Sequence, residues 1–441
     1  MSGFDELGIG LALFNKTKEL GWEKPSTIQQ KAIPVILAGR DLMAIAQTGS
    51  GKTGAFLLPI LQRLSQNKSK QNQNPSVLIL APTRELAIQL HKNAEIFSEA
   101  VAKSACLLVG GLSVLTQKEA LNLKPEIVVA TPGRLLDHLR RNHLNLSGIQ
   151  YLVLDEADRM LDMGFLPDIK NILTRCSEPR QSLLFSATLS DEIHLLAQKL
   201  LKRPILIEVN ANRDAGSIEQ KVFRVPEREK PTFLRDLIVD NSLDQVLVFT
   251  RQKESAAKLA NHLKEDGFKV EALHGDKTQA RRTKILEAFK NHELRILVAT
   301  DLASRGIDIK ELPVVINYEL PQDPHDYIHR IGRTGRAGKE GVAYSLVSEK
   351  DTYKLKAIET LIKRKLSLET PAIYKTYFEK EDRVEDAPMA KSLTRDSKPK
   401  CSVSKERTHK KDRKAFSGEK RSLKEKRNTG LDSFDYILPD F

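Results

Sequence analysis

Three carboxylates follow an apolar run in the segment YLVLDEAD, residues 151–158. The apolar residues read as a buried strand, and negative charges at the end of such a strand are costly unless a cation compensates them. Mg²⁺ is a suitable cation because it binds carboxylates together with substrate phosphates. We interpret Asp155 as the metal ligand and Glu156 as the group that orients and deprotonates an attacking water. Asp158 either belongs to the same site or caps the following helix.

A glycine-rich segment upstream, AQTGSGKT at residues 46–53, supplies the groups that such a metal site requires. In a phosphate-binding loop, glycines let backbone N–H groups wrap the phosphates, a lysine reaches the outer phosphates, and a hydroxyl meets Mg²⁺. Gly49, Gly51, Lys52 and Thr53 fit these roles, although Ala46 stands where the general pattern has glycine. The loop therefore predicts a nucleoside triphosphate as the partner of the carboxylates.

Arginines near residue 330 offer the positive charge that phosphoryl transfer needs. The segment HRIGRTGRAG, residues 329–338, places three arginines between glycines, which favours a close approach to phosphate over a long helix. An arginine that stabilises the transition state often comes from a second domain. If these arginines face Lys52, hydrolysis requires two domains to close, and nucleotide binding becomes a mechanical switch.

Short apolar runs recur along the chain and are predicted to be the strands that position these residues. They are VLIL (77–80), IVVA (127–130), YLVL (151–154), SLLF (182–185), VLVF (246–249), KVEAL (269–273), ILVA (296–299) and VVINY (314–318). Continuous apolar character predicts strands buried on both faces, and hence parallel sheets covered by helices. The fold class is therefore α/β, built twice. Small, polar and basic residues follow these runs, so two facing sheet edges would line one cleft.

Composition bounds the class of protein. The chain has 441 residues and a net charge of +13, and residues 391–428 hold fifteen Lys or Arg against five Asp or Glu. The body is therefore nearly neutral and carries a basic arm. Three scattered cysteines without a CxxC pair indicate neither a disulfide framework nor a zinc site. The densest apolar stretch, AFLLPIL at 55–61, is too short for a membrane span, and the acidic start MSGFDELGIG lacks the features of a signal peptide. We expect a cytoplasmic protein.

The order of these motifs resembles that of the DEAD-box ATP-dependent RNA helicases over roughly residues 1–370. The matching segments are GWEKPSTIQ (21–29), AQTGSGKT, PTREL (82–86), GG (110–111), TPGR (131–134), DEAD, SAT (186–188), VFTR (248–251), HGDKTQARR (274–282), ATDLASRGID (299–308) and HRIGRTGR (329–336). The body looks most like the bacterial RhlE-type branch. The resemblance implies two tandem RecA-like parallel-sheet domains of helicase superfamily 2, with ATP and Mg²⁺ as cofactors.

The resemblance also implies domain boundaries. We expect an N-terminal ATP-binding domain at 1–208, with the Q motif at 1–30, a linker at 209–217 and a C-terminal helicase domain at 218–370. A basic tail at 371–441 has the composition of a disordered segment. It would attract RNA without regard to sequence, or it would only aid solubility. The final residues, LDSFDYILPDF, are either a docking peptide or an unstructured end.

Roles at the ATP site carry over to matching positions. Gln29 would read the adenine edge and Trp22, where the family has Phe or Tyr, would stack on the base. Asp308 would bind the ribose, and Ser186 and Thr188 would couple hydrolysis to domain movement. Arg333 and Arg336 would be the arginine fingers, with His329 linking them to the site. The loop residues expected to bind nucleotide are Ala46, Gln47, Thr48, Gly49, Ser50, Gly51, Lys52 and Thr53, with Thr53 and Asp155 on the metal.

RNA is expected to lie across both domains. The first domain would contact it through Pro82, Thr83, Arg84, Gly111, Thr131, Gly133 and Arg134. The second would use Thr250, Arg251, Gly275, Gln279, Thr300 and Arg305. Hydroxyls, backbone amides and a few arginines suit phosphate and 2′-OH contacts, so binding should be largely independent of sequence.

We predict an RNA-stimulated ATPase that unwinds short RNA duplexes or remodels RNA–protein complexes, in ribosome assembly or RNA turnover. An ATP-gated RNA clamp or scaffold without productive unwinding is the alternative, since the same motifs serve both. A DNA helicase is a third hypothesis, which stimulation by RNA over DNA would exclude.

Overall fold

The computed structural model describes residues 3–47, 49–66, 74–209, 218–301, 312–335 and 341–378. The described residues up to Tyr374 belong to one compact unit, and residues 375–378 belong to a second. Within the first unit we call residues 3–209 lobe 1 and residues 218–374 lobe 2. None of the helices in the described ranges has the length and apolar character needed to span a membrane.

Each lobe is built on a parallel sheet of seven described strands. Lobe 1 contains β1 Leu42–Ile45, β2 Val77–Leu80, β3 Ala105–Leu108, β4 Ile127–Ala130, β5 Tyr151–Leu154, β6 Gln181–Ser186 and β7 Ile205–Glu208. Lobe 2 contains β8 Ile218–Arg224, β9 Val246–Thr250, β10 Val270–Leu273, β11 Ile296–Thr300, β12 Val314–Asn317, β13 Gly341–Val347 and β14 Leu368–Glu369. The strand orders are β3-β4-β2-β5-β6-β1-β7 and β10-β11-β9-β12-β13-β8-β14, so the two sheets share one topology.

Helices cover both faces of each sheet. Those of lobe 1 are α1 Leu11–Glu19, α2 Thr27–Leu37, α3 Lys52–Gln66, α4 Arg84–Glu99, α5 Val114–Asn122, α6 Pro132–Arg140, α7 Ala157–Asp162, α8 Leu166–Leu173 and α9 Asp191–Leu200. Those of lobe 2 are α10 Lys230–Asp240, α11 Lys253–Glu265, α12 Gln279–Lys290, α13 Pro324–Ile331 and α14 Thr352–Ile362. This arrangement confirms the predicted α/β class with two RecA-like lobes.

The core follows from the period-two alternation of strand side chains. Val77 and Ile79 of β2 point into the apolar cluster on one face of the lobe 1 sheet, whereas Leu78 and Leu80 point into the cluster on the other. All four are fully buried. Because both faces are covered, the strand can be apolar throughout, as the sequence predicted. Lobe 2 has its own apolar clusters, so each lobe has a separate core.

Candidate active site

The phosphate-binding loop leaves the carboxyl end of β1 and ends at the first residue of α3. Gly49 and Gly51 have φ angles of +88° and +96°, which glycine adopts without steric cost. Lys52 is buried, and its Nζ donates to the carbonyl oxygen of Ala46 at 3.1 Å. Among the other predicted members, Ala46 is buried, Gln47, Ser50 and Thr53 are half-buried, and Thr48 lies outside the described residues.

Asp155 lies opposite this lysine at the end of β5, with 4.0 Å between Lys52 Nζ and Asp155 Oδ1. Burial raises the pKa of Asp155 to about 6, although the Lys52 ammonium acts in the opposite direction. A buried carboxylate of this kind gains from a bound cation. Asp155 and the Thr53 hydroxyl therefore fit Mg²⁺, which would supply charge neutralisation between the carboxylate and the phosphates.

Glu156 adopts a left-handed backbone conformation, with φ +55° and ψ +54°, at the N-cap of α7. Few residues other than glycine adopt this backbone conformation. Residues strained in this way are found most often at functional sites. The Glu156 side chain is buried, and its Oε2 lies 3.5 Å from Nε of Arg159. The strained turn thus directs this carboxylate to an arginine one helical turn further along α7.

Asp158 does not cap α7, because Glu156 occupies the N-cap position and Asp158 lies in the first turn. Its Oδ2 accepts hydrogen bonds from the N–H of Ala187 at 3.0 Å, the N–H of Thr188 at 3.1 Å and Oγ1 of Thr188 at 3.3 Å. Ser186 Oγ in turn donates to the Thr188 carbonyl at 2.7 Å. Asp158 is therefore not the N-cap residue, although its Oδ1 accepts from the first-turn N–H of Arg159 at 3.0 Å. This carboxylate fixes the loop that holds both predicted coupling residues.

Gln29 joins the start of α2 to the phosphate-binding loop. Its Oε1 accepts from the Ser26 N–H at 2.8 Å, and its Nε2 donates to the Gly51 carbonyl at 3.1 Å. Trp22 lies against the first turn of α3, which follows the loop directly, since a Cβ added to Gly54 would meet its ring at 2.7 Å. The two residues predicted to recognise adenine are thus both next to the phosphate-binding loop.

A small pocket joins the lobes beside Arg159. It is lined by Arg159 of lobe 1 and by Phe249, Asp301, Asp326, His329, Arg330 and Arg333 of lobe 2, and we call it the arginine pocket. Two predicted catalytic residues, His329 and Arg333, are therefore next to the partner of Glu156. Arg336 and Asp308, which was predicted to bind the ribose, lie outside the described residues.

Arg330 anchors this pocket, a role that the sequence motif did not distinguish from those of its neighbours. Its guanidinium binds both carboxylate oxygens of Asp301 at 2.6 Å and also donates to Asn317 and to the Glu319 carbonyl. A buried arginine with this many partners holds the end of α13 in place.

A second cavity, with a volume of about 430 Å³, lies between the lobes, and we call it the interlobe groove. Its lining is Pro82, Thr83, Arg84, Glu85, Gly110, Thr131, Gly133, Arg134, Asp137, Met163, Phe165, Gly275 and Arg282. Seven of the predicted RNA contacts are among these residues. The N-termini of α4 and α6 both reach the groove, which favours the binding of phosphate groups.

Of the other predicted RNA contacts, Gly111 lies in a turn, and Thr250, Arg251 and Thr300 lie at or just after the ends of strands. Gly111 lies beneath the Arg84 guanidinium, and Thr250 and Thr300 pair in register at the ends of β9 and β11. The Arg251 backbone N–H donates to Glu319 Oε2 at 2.6 Å. Arg305 lies outside the described residues.

Glu85 is one of six groove residues that were not among the predicted RNA contacts. Its Oε1 lies 2.9 Å from Nη2 of Arg282 and accepts from Nε2 of Gln279 at 3.1 Å, so lobe 2 neutralises a lobe 1 carboxylate. Gln279, predicted as an RNA contact, thus binds the opposite lobe. Glu85 lies within PTREL and Arg282 within QARR, but only the fold brings them together.

Comparisons with known proteins agree with this geometry. Residues 26–196 match the DEAD/DEAH box helicase family, and residues 229–338 match the helicase conserved C-terminal domain. The ATP-dependent RNA helicase CshA of Listeria monocytogenes is 42% identical over 369 residues, which cover 83% of this chain and 70% of that protein. The CshA of Geobacillus kaustophilus is 39% identical, with 87% and 82% covered.

Two solved structures are similar as well. S. cerevisiae Dbp5 bound to RNA and ADP BeF3 has a TM-score of 0.76 and 31% identity, covering 87% of this chain and 99% of that chain. Mss116p bound to ssRNA and AMP-PNP has a TM-score of 0.76 and 31% identity, covering 84% and 79%.

Proposed function

Because the chain belongs to the DEAD-box ATP-dependent RNA helicases, we propose that its two lobes close around ATP and RNA and that this closure separates short RNA duplexes. The protein is an RNA-stimulated ATPase with ATP and RNA as its ligands. The observation that carries the mechanism is the arginine pocket, where Arg159, in contact with Glu156, meets His329 and Arg333 of the other lobe.

In the proposed mechanism, lobe 1 holds the nucleotide and lobe 2 completes the site. Lys52 and the backbone of the phosphate-binding loop would bind the phosphates, while Thr53 and Asp155 would hold Mg²⁺. Glu156 orients and deprotonates the attacking water, and Arg333, with Arg336, stabilises the charge of the transition state. Gln29 and Trp22 bind the adenine, and Asp308 binds the ribose.

RNA would occupy the interlobe groove. Arg84 and Arg134, with Thr83, Thr131 and the helix N-termini, suit contacts to the phosphate backbone rather than to base edges. Ser186 and Thr188, held by Asp158, would transmit the state of the nucleotide to the lobes. Because the groove requires both lobes, RNA binding and ATP hydrolysis would be coupled through closure.

Steady-state ATP hydrolysis by the full chain tests this proposal. We expect little hydrolysis without nucleic acid, strong stimulation by single-stranded RNA and weak stimulation by matched DNA, with Lys52→Ala inactive throughout. Hydrolysis that did not respond to RNA would contradict it. Separation of a short duplex over several turnovers would then distinguish a helicase from an ATP-gated clamp.

We propose that the basic tail tethers RNA by charge through the part that follows residue 378, which lies outside the described residues. Removing residues 389–441 should raise the RNA concentration for half-maximal ATPase and flatten its dependence on salt, because fewer counterions are released on binding. Saturated turnover should not change. An unaltered salt slope would leave the tail with a solubilising role only.

Four finer assignments stay predictions. They are the RhlE-type branch, the domain boundaries at residues 208, 218 and 370, the cytoplasmic location, and a role in ribosome assembly or RNA turnover. The relatives named above are CshA proteins, so the branch in particular rests on the sequence resemblance alone.

A further inference from the structure

The loop between β3 and α5, residues 109–113, forms part of the interlobe groove, and we call it the glycine loop. The Arg84 guanidinium lies over it: a Cβ added to Gly111 would be 2.5 Å from Arg84 Nη1, and one added to Gly110 would be 3.0 Å from Nη2. Arg134 Nη1 donates to the Leu112 carbonyl at 3.0 Å. This loop therefore supports both arginines that are expected to contact RNA phosphates.

Gln117, on the first turns of α5, holds the two ends of the glycine loop together. Its Oε1 accepts from the Val109 N–H at 3.0 Å, and its Nε2 donates to the Val109 carbonyl at 3.1 Å. The same Nε2 donates to the Ser113 carbonyl at 3.1 Å. Val109 is fully buried, and buried backbone N–H and C=O groups cost free energy when they lack hydrogen-bond partners. The bonds from Gln117 therefore stabilise this conformation of the loop.

Gln117 does not itself reach the RNA surface. Its side chain is 5% exposed and is not among the residues that line the groove. Any effect on RNA must therefore pass through the loop. Two adjacent glycines, one with φ +81°, give that loop a large conformational entropy when it is unrestrained. A clamp between residues 109 and 113 removes much of this freedom before RNA arrives, which lowers the cost of binding.

We propose that Gln117 is a positioning residue that preorganises the glycine loop, and with it Arg84, for binding the RNA backbone. This inference rests on the proposed function of the interlobe groove. It predicts a defect in RNA affinity without a defect in ATP affinity or in turnover at saturating RNA. The reason is that the glycine loop follows β3, whereas the phosphate-binding loop follows β1.

The test compares Gln117→Leu with Gln181→Leu in the full chain. Gln181 is a matched control, since it is a buried glutamine of the same lobe whose Nε2 donates to two backbone carbonyls, those of Ile36 and Arg40, outside the groove. We expect Gln117→Leu to raise the RNA concentration for half-maximal ATPase about tenfold, which corresponds to 1.4 kcal/mol. Saturated turnover and the affinity for a fluorescent ATP analogue should change less than twofold. Gln181→Leu should lower thermal stability without this increase.

A double-mutant cycle with Arg84→Ala tests the route of the effect. If Gln117 acts through the loop beneath Arg84, the two substitutions should be strongly non-additive in RNA affinity. Gln117→Glu keeps the acceptor for the Val109 N–H but loses both donated bonds, so it should resemble Gln117→Leu. Unchanged RNA affinity in a folded Gln117→Leu protein, additive effects with Arg84→Ala, or full rescue by Gln117→Glu would each overturn the proposal. If RNA did not stimulate the ATPase of the wild-type protein, that result would contradict the proposed function, and it is distinguishable from a failure of the Gln117 proposal alone.

Discussion

Asp155 and Glu156 show how two adjacent carboxylates acquire different tasks from their surroundings. Asp155 lies within 4.0 Å of a buried lysine and has a raised pKa, so it is suited to a cation. Glu156 has a left-handed backbone that turns its side chain toward Arg159. The sequence predicted both the location of the pair and its division of roles, and these local contacts supply a physical reason for that division.

At this scale we predict that Glu156→Gln separates binding from hydrolysis. The amide keeps the shape of the side chain but cannot accept a proton from water, so RNA-stimulated turnover should fall by about 10²-fold or more. Affinities for an ATP analogue and for RNA should stay within a few-fold of wild type, as measured by fluorescence anisotropy. Hydrolysis at the normal rate would remove Glu156 from its assigned role.

His138 provides a second prediction, on stability. Its ring is fully buried in α6, with Nδ1 3.2 Å from Nδ1 of His143. Burial lowers the pKa of His138 to about 4, and His143, Arg134 and Arg141 add to this while Asp137 opposes it. Between about pH 6.5 and pH 4, His138 binds a proton in the unfolded chain but not in the folded chain. Stability should therefore fall as the pH is lowered through this window, by at most about 3 kcal/mol.

The measurement is the thermal unfolding midpoint of the full chain between pH 4 and pH 7. His138→Leu should flatten the loss of stability below pH 6.5. His325→Asn, at an exposed histidine of lobe 2, should leave the profile unchanged. A profile that His138→Leu did not alter would show that other groups dominate acid unfolding.

At the scale of elements, the predicted strands were those with continuous apolar runs. Each of the eight runs overlaps a strand, and seven of these strands are central ones that are buried between covering helices, while β10 is an edge strand. The prediction missed β1, β3, β7, β8, β13 and β14. β3 (Ala105–Leu108) is a short apolar run that the prediction did not include, and its residues alternate between half-buried and buried, whereas β8 carries Glu219, Gln220 and Lys221 and contains no such run.

Some parts of the site are encoded by local sequence patterns, and others depend on contacts between segments that are distant in the sequence. The phosphate-binding loop and the carboxylates after β5 are local patterns, and the sequence predicted them directly. The contacts of Asp158 with residues 187 and 188 join segments 29 and 30 positions apart, and no periodicity signals such a contact. The Glu85–Arg282 pair is separated by almost 200 positions, so its recognition required the fold.

Asp158→Ala tests the connection between two elements. Loss of the carboxylate leaves the N–H groups of Ala187 and Thr188 without this acceptor, which costs about 1–3 kcal/mol and frees the loop after β6. We expect duplex separation to fall by at least about tenfold more than RNA-stimulated ATPase. Asp191→Ala, at an exposed acid in the first turn of α9, is the control. Equal losses of both activities would argue against a coupling role.

At the scale of the whole molecule, the lobes meet through polar contacts rather than through a shared core. Each lobe has its own apolar clusters, and the described contacts across the interlobe groove involve Glu85, Gln279 and Arg282. Opening and closing therefore leave both cores intact. This fits a reversible switch driven by ligand binding, since the lobes need not unfold to separate.

Arg282→Ala should weaken this closure. The substitution removes the positive partner of the Glu85 carboxylate and leaves only the hydrogen bond from Gln279. The negative charge of Glu85 would then lie in a groove that RNA phosphates would enter, which disfavours both closure and RNA binding. We expect the RNA concentration for half-maximal ATPase to rise by about tenfold or more. Adding Glu85→Gln should recover part of the loss, because the uncompensated charge is then gone.

The neighbouring arginine is the control. Arg281 is half-exposed and pairs with Glu271 on the surface of lobe 2, so Arg281→Ala should have little effect. Equal effects of the two substitutions would point to a general loss of positive charge instead of a specific contact between lobes.

The shared strand order of the two sheets has a further consequence at the strand that carries the phosphate-binding loop in lobe 1. The corresponding strand in lobe 2 is β8, and the helix after it begins with Lys230, just as α3 begins with Lys52. Lys230 is fully buried, and its Nζ binds Asp351 at 3.2 Å and Glu227 at 3.3 Å. Burial alone would raise the pKa of Asp351, but Lys230 and Lys354 hold it at about 2.

The two lobes therefore share a strand order, but the lysine that begins the equivalent helix has different surroundings in each. In lobe 2, Asp351 and Glu227 neutralise Lys230, and this lysine is part of the folded framework. Lobe 2 thus has a buried cluster of protein charges at the position where lobe 1 has Lys52, the lysine that we propose binds phosphates.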